Sequence, residues 1–208
     1  MIDGHPDLFK PLPAEPPAVK PWRPRPLENH EWADRDYIGL YKWRVDMLAK
    51  LRADPDMLTD AKAYYAKHPK EFICHWLDTY NPRLKRSKWV PFVLFRRQAD
   101  FIDFLEELRR DNESGLVEKC RDVGASWLGC AYSVWTFSFI KDDATGWGSR
   151  KEDLVDKRGD PDSLFEKMRL LINRMPDVFR PPASHAFMKL VNKENGATVT
   201  GEAGDNIG

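Results

Sequence analysis

Hydrophobic positions recur along much of the chain with a helical period. Tyr37, Leu40, Tyr41, Val45, Leu48 and Leu51 form one stripe that starts after Asp34 and Asp36 and ends at Asp54-Pro55. A second helix is predicted over Leu58–Lys67. A third follows Pro69 and carries Phe72, Ile73, Trp76 and Leu77, and TYNPR (Thr79–Arg83) then reads as a turn. Gln98–Arg110 is strongly amphipathic, with Phe101, Ile102, Leu105 and Leu108 on one side. After the polar loop 111–115 comes a short strand signal, Leu116–Cys120, then a glycine-bearing turn, then Ser126–Ile140, apolar enough to predict a buried helix.

The second half of the chain is less regular. Gly146–Ser149 predicts a short strand, and Ser149–Lys157 a capped loop or helix start. Asp162–Met175 predicts a helix, with Leu164, Met168, Leu171 and Ile172 on one face and Pro176 as its stop. Phe187–Asn192 and Ala197–Gly201 read as strands joined by Lys193–Gly196, where Asn-Gly is a hairpin signal. Large aromatics in these elements are assigned to the core.

Composition changes this picture at the N-terminus. Residues 1–26 hold half of the 16 prolines, so 1–35 is predicted to be an extended, partly disordered arm, with Trp22 and Trp32 free to dock elsewhere. Lys+Arg and Asp+Glu are both 33, so net charge points to no partner. The distribution is more telling: Arg83, Lys85, Arg86, Lys88, Arg96 and Arg97 follow one another with no intervening acid, a stripe that suits either phosphates or solvent. The three cysteines form no CxxC pair, and the five histidines are scattered, so no four-ligand zinc set emerges. No apolar run reaches the ~18 residues of a membrane span, and the N-terminus lacks a signal-peptide pattern. A cytosolic location is expected.

The candidate chemistry lies in KCRDVGASWLG, Lys119–Gly129. On the phosphate-loop template G-x-x-x-x-G-K-[ST], Gly124 and Ser126 fall in place, Ala125 occupies the lysine position, and Lys119 occupies that of the first glycine. A turn entering a helix presents unpaired N–H groups at the positive end of the helix dipole, where a phosphate binds. Gly124 allows close approach, Ser126 offers a hydroxyl to Mg²⁺, and Lys119 or Arg121 could supply the cation. Asp122 is awkward beside a phosphate. The simpler alternative is a helix N-terminus at which Ser126 is an early capping residue.

Four stretches in order resemble the large subunit of tailed-phage terminases, the ATP-driven DNA-packaging motors: FICHWLDTYNPR, PFVLFRRQADFIDFL, KCRDVGASW, and SRKEDLVDKRGDPDSLFEKMR with the NGATVTGEAGDNIG tail. The similarity spans about Tyr37 to Gly208. It implies an α/β fold in which a helical subdomain (36–88) packs on an incomplete P-loop NTPase-type parallel sheet (89–208). It implies that Gln98 reads adenine, that Lys119 is a displaced Walker A lysine with Arg121 as the alternative, and that Gly124, Ala125, Ser126 and Trp127 build the loop and first turn for ATP, with Mg²⁺ on Ser126. The implied partners are double-stranded DNA, the terminase small subunit, the portal protein and further copies in a ring, in a bacterial host's cytoplasm.

The departures from that pattern are specific. No Walker B run of apolar residues ending in Asp-Glu is present. FSFIKDD (Phe137–Asp143) imitates one, but it directly ends the loop's own helix. The nuclease cluster of the family is also missing. The expectation is therefore an N-terminal portion of a longer protein that binds ATP and hydrolyses little of it. Two other readings stand beside it: an interaction module with a vestigial loop, and part of another P-loop translocase or helicase. If the basic stripe meets DNA, anisotropy titrations with a duplex will show log affinity falling with log salt by about 0.9 per phosphate contact, and neutralising Arg83, Lys85, Arg86 and Lys88 will flatten that slope.

Overall fold

The computed structural model describes residues 37–85, 87–120 and 123–204. The proline-rich arm with Trp22 and Trp32, together with Arg86, Arg121, Asp122 and the last four residues of the tail, lies outside them.

The first helix, α1 (Tyr37–Ala53), buries Leu40, Arg44 and Leu51, whereas Tyr41 and Val45 of the predicted stripe are exposed. A charged residue takes the inward position because it has a task there. The Arg44 guanidinium donates to the carbonyls of His75, Cys74 and Leu77 at the end of α3 (Pro69–Trp76), and to Asp78 Oδ1 at 2.8 Å. It thereby satisfies carbonyls that a helix C-terminus leaves open. Between them, α2 (Pro55–Tyr65) starts three residues earlier than predicted. The Asp54 carboxylate accepts from the amides of Asp56 and Met57, both at 3.0 Å, and proline suits the first helical position. Asp54-Pro55 therefore ends one helix and starts the next.

TYNPR is only partly a turn. Asp78–Tyr80 forms β1, antiparallel to β2 (Trp89–Pro91), with Tyr80 opposite Trp89 and their rings 5.2 Å apart. The turn begins at Asn81, whose side chain accepts from the Arg83 amide at 3.1 Å. The strand was hidden because its partner lies beyond the basic loop.

Two helices follow, α4 (Arg96–Asp111) and α5 (Ala125–Phe139), then β3 (Ala144–Ser149), the single turn α6 (Glu152–Val155) and α7 (Leu164–Arg174). The chain closes with β4 (Ala183–Ala186), β5 (Lys189–Asn192) and β6 (Thr198–Ala203). These make a four-stranded sheet in the order β3-β6-β5-β4. Only β3 and β6 are parallel; the other pairs are antiparallel. The fold is mixed α/β, but the sheet is not the parallel one expected. Strand β4 had no clear signal in the sequence, and it forms by hairpin pairing with β5.

The strand predicted at Leu116–Cys120 is not formed. Those residues are irregular and exposed, Leu116 to 94%. A strand needs a partner, and none of the described strands pairs with this segment. Helix α5 therefore follows a coil, so the helix-strand-loop-helix order inferred for the phosphate loop fails at its second member.

The buried side chains form one core from Leu51 of α1 to Val199 of β6, with Trp76, Trp135, Tyr65, Phe72 and Phe137 among the largest. No helix among the described residues is long and apolar enough to cross a membrane. At the edge of the core, Arg169 of α7 holds Asp156 with both terminal nitrogens, and the Met188 amide donates to the same carboxylate at 2.7 Å. Met188 sits in the β4–β5 turn at φ 50°, so the carboxylate pins a left-handed backbone residue to two helices. Burial alone would raise the Asp156 carboxyl; the Arg169 and Met188 hydrogen bonds and the guanidinium charge outweigh it and hold it below the usual carboxylate range. The depressed value makes this contribution full at neutral pH, and it is lost as pH falls from about 3.9, the unfolded value, through the lower folded one. Asp156→Ala should cost about 1.5–3 kcal/mol at pH 7, because the terminal nitrogens of Arg169 and the Met188 amide lose their acceptor while Glu166 stays on Arg169 Nε at 2.8 Å. Urea unfolding at pH 7 and pH 3 should show a smaller pH difference in the variant than in the parent.

Candidate functional site

The candidate loop is held from α4. Gln98, in the first turn of that helix, accepts from the Phe95 amide through Oε1 at 3.1 Å and donates through Nε2 to the Val123 carbonyl at 3.1 Å. Both ends of its amide are thus engaged within the protein. The next residue, Gly124, is the N-cap of α5 with φ 77° and ψ 15°, a left-handed conformation that glycine adopts without penalty. A Cβ there would stand 3.5 Å from Gln98 Nε2, in ordinary contact, so backbone conformation rather than crowding selects glycine.

Ala125, Ser126 and Trp127 are the first three residues of α5. No side chain at the N-cap covers their amides, so the helix start keeps its donors and its positive dipole end. Ser126 is exposed, and it is the second residue of α5 behind the Gly124 N-cap, inside the helix rather than before it, which sets aside its reading as a capping residue. Beside this turn opens a cavity of about 400 Å³. Lys119, Ala125 and Ser126 line it, so the structure brings the lysine and the serine of the candidate loop to one cavity. Gln98 and Trp127 are not among its walls. Trp127 packs edge-on to Trp89, with ring centres 6.1 Å apart, and has Lys167 Nζ 5.7 Å from its own. Arg121 lies outside the described residues.

The rest of the cavity was not anticipated from the sequence. Its walls are mostly apolar: Phe101 and Leu105 from α4, Val117 from the coil, Gly129 and Tyr132 from α5, and Trp147 from β3. Gly129 is required by close approach, since a Cβ there would fall 2.7 Å from the Trp147 ring. A lone glycine within the bulky run WLGCAYSVW was the available signal for this contact. Trp147 Nε1 donates to Ser133 Oγ at 3.0 Å, which locks the indole against the helix. The Tyr132 hydroxyl donates to Glu106 and accepts from Arg109 Nε at 3.2 Å. Burial raises the Tyr132 phenol, and the Glu106 carboxylate reinforces the effect, so this wall is uncharged near neutral pH.

Chemically the cavity combines two kinds of lining, polar groups from the loop and the first turn of α5, and apolar side chains from α4, α5 and β3. The first kind offers the Lys119 amine, the Ser126 hydroxyl and helix N–H groups, which suit phosphate oxygens. The second kind offers flat apolar surfaces. No Asp or Glu lines it among the described residues, so a Mg²⁺ held by Ser126 would complete its shell with phosphate oxygens and water, as this ion commonly does. Cys130, next to Gly129, has no part in this chemistry: burial pushes its thiol up to about 12, and Sγ meets the Leu164 carbonyl at 3.6 Å.

A scan against protein-family models finds no match for the chain, and a search of curated proteins finds no relative. Replacing Gly124 tests the loop geometry directly. Gly124→Ala should destabilise the protein by about 1–2 kcal/mol through the left-handed backbone, and Gly124→Asn by less, both read from thermal unfolding.

Proposed function

We propose that this chain is the ATP-binding part of a tailed-phage terminase large subunit, with a P-loop NTPase-type loop whose lysine, Lys119, stands at the beginning rather than the end. The observation that carries this reading is the shared cavity: Lys119 and Ser126, separated by the loop, line one space at the start of α5. The four ordered stretches of sequence similarity support it independently. Gly124 shapes the turn, Ser126 is the Mg²⁺ ligand, and helix N–H groups take the remaining phosphate oxygens. Arg121 remains the alternative cation. The proposed role of these residues is nucleotide binding rather than hydrolysis, because no carboxylate able to orient water lines the cavity among the described residues.

In this reading the motor's double-stranded DNA, small subunit, portal and ring neighbours are the partners, in the host cytoplasm. Arg83, Lys85, Lys88, Arg96 and Arg97 are exposed along and after the β1–β2 loop, where a DNA backbone could reach them. Arg97 shares its charge with Asp100 at 3.6 Å.

Two observations favour the second reading, an interaction module with a vestigial loop. The coil before α5 forms no strand, and the adenine-reading role of Gln98 conflicts with an amide already bonded at both ends. Titration with a fluorescent ATP analogue in Mg²⁺ separates the two. Lys119→Ala should weaken binding by about tenfold or more, the scale of a lost charged hydrogen bond, and Ser126→Ala by about fivefold. Lys189→Ala, on a strand outside the cavity, should leave it unchanged. Both loop residues are exposed, so their loss should not unfold the protein. Absent binding in the parent, or equal binding in all variants, assigns the chain to the interaction module.

A further inference from the structure

We propose that the apolar half of the cavity is a compartment for the base of a nucleoside phosphate, reached without Gln98 and indifferent to whether the base is adenine or guanine. The inference rests on the nucleotide reading above and specifies which part of the ligand each wall receives.

The supporting observation is Ser133. It lines the cavity and is only 4% exposed. Its oxygen accepts from Trp147 Nε1, while its own proton has no acceptor among the described residues. Ser138, on the same helix, shows the usual outcome: its hydroxyl donates back to the Val134 carbonyl at 2.7 Å. A buried donor left open at the edge of an apolar compartment calls for an acceptor on whatever fills it. An alkyl chain offers none. A nucleobase offers ring nitrogens and carbonyls together with a flat face that suits Trp147, Phe101 and Leu105. The volume, about 400 Å³, falls within the ~300–1,000 Å³ of small-molecule sites.

The other polar side chains beside this apolar surface are engaged. The Tyr132 hydroxyl is taken by Glu106 and Arg109, Trp147 Nε1 by Ser133, and the Thr145 hydroxyl donates to Asp143 at 2.9 Å. One serine donor cannot separate adenine from guanine, since both present ring acceptors. Strong discrimination requires several fixed polar partners. Gln98, the residue that similarity assigns to adenine, is held by Phe95 and Val123 and lies outside the walls.

Displacement of a fluorescent ATP analogue from the full chain in Mg²⁺, by ATP, GTP and tripolyphosphate, tests this. ATP and GTP should compete within about threefold of each other, and tripolyphosphate at least tenfold more weakly. Ser133→Ala should lower affinity for both nucleotides while leaving tripolyphosphate unchanged; a folding defect would lower all three. Tripolyphosphate matching ATP would overturn the base compartment yet leave the phosphate site standing. A tenfold preference for ATP over GTP that disappears in Gln98→Glu would place the base on the loop and also overturn the proposal. If the analogue does not bind at all, the nucleotide reading falls and the compartment falls with it.

Discussion

Helix α5 is apolar around most of its circumference, and such a helix is stable only if it is covered on every side. That requirement organises the molecule. Leu128, Cys130, Ala131, Val134, Trp135 and Phe137 are all buried, and α3, α4, α7 and β6 supply the cover. Each large side chain contributes about 1.5–3 kcal/mol when removed from water. A buried helix also has to satisfy its last carbonyls. Here the hairpin β5–β6 does so: Asn192 Nδ2 donates to the Phe137 carbonyl at 2.8 Å, and Asn195 Nδ2 reaches those of Phe137 and Ile140. The Asn-Gly turn is therefore both a hairpin and the C-terminal cap of a helix more than 50 residues earlier.

The other end of α5 is treated differently, and there the candidate site arises. No side chain caps it, its entry glycine is left-handed, and the coil before it is exposed. One face of the helix beyond that end is pared back to Gly129 so that Trp147 can approach, and the space left between Trp147, Tyr132 and α4 is the cavity. The same helix is thus closed and hydrogen-bonded at its C-terminus and open to a ligand at its N-terminus. Gln98 fixes the loop at the open end to α4. Its part in the structure is accounted for as a positioning residue, whether or not a nucleotide is present.

Buried charge follows a similar logic elsewhere. Arg44 and Asp156 are both inside the protein, and each ends the open hydrogen-bonding needs of a distant segment: the carbonyls of α3 in one case, the Met188 amide of the β4–β5 turn in the other. Neither is isolated, since Asp78 and Arg169 balance them. Charges placed this way are retained because backbone groups that cannot reach water need partners.

Local chemistry legible in the sequence accounts for the helices. Asp54-Pro55, Pro69 and Pro176 mark ends and starts, and the period of apolar residues places α4, α5 and α7 to within a few residues. The loop residues Lys119 and Ser126 were also legible, as a spacing. Tertiary structure alone decided the rest. It turned Arg44 inward in place of Tyr41 and Val45, because the carbonyls it serves belong to another helix. It made β1 and β4 strands, because strand formation depends on a partner the local sequence does not contain. It left Leu116–Cys120 without one. It also built the cavity's far wall from α4, α5 and β3, whose residues carry no common motif and meet only because a helix apolar on all sides must be enclosed.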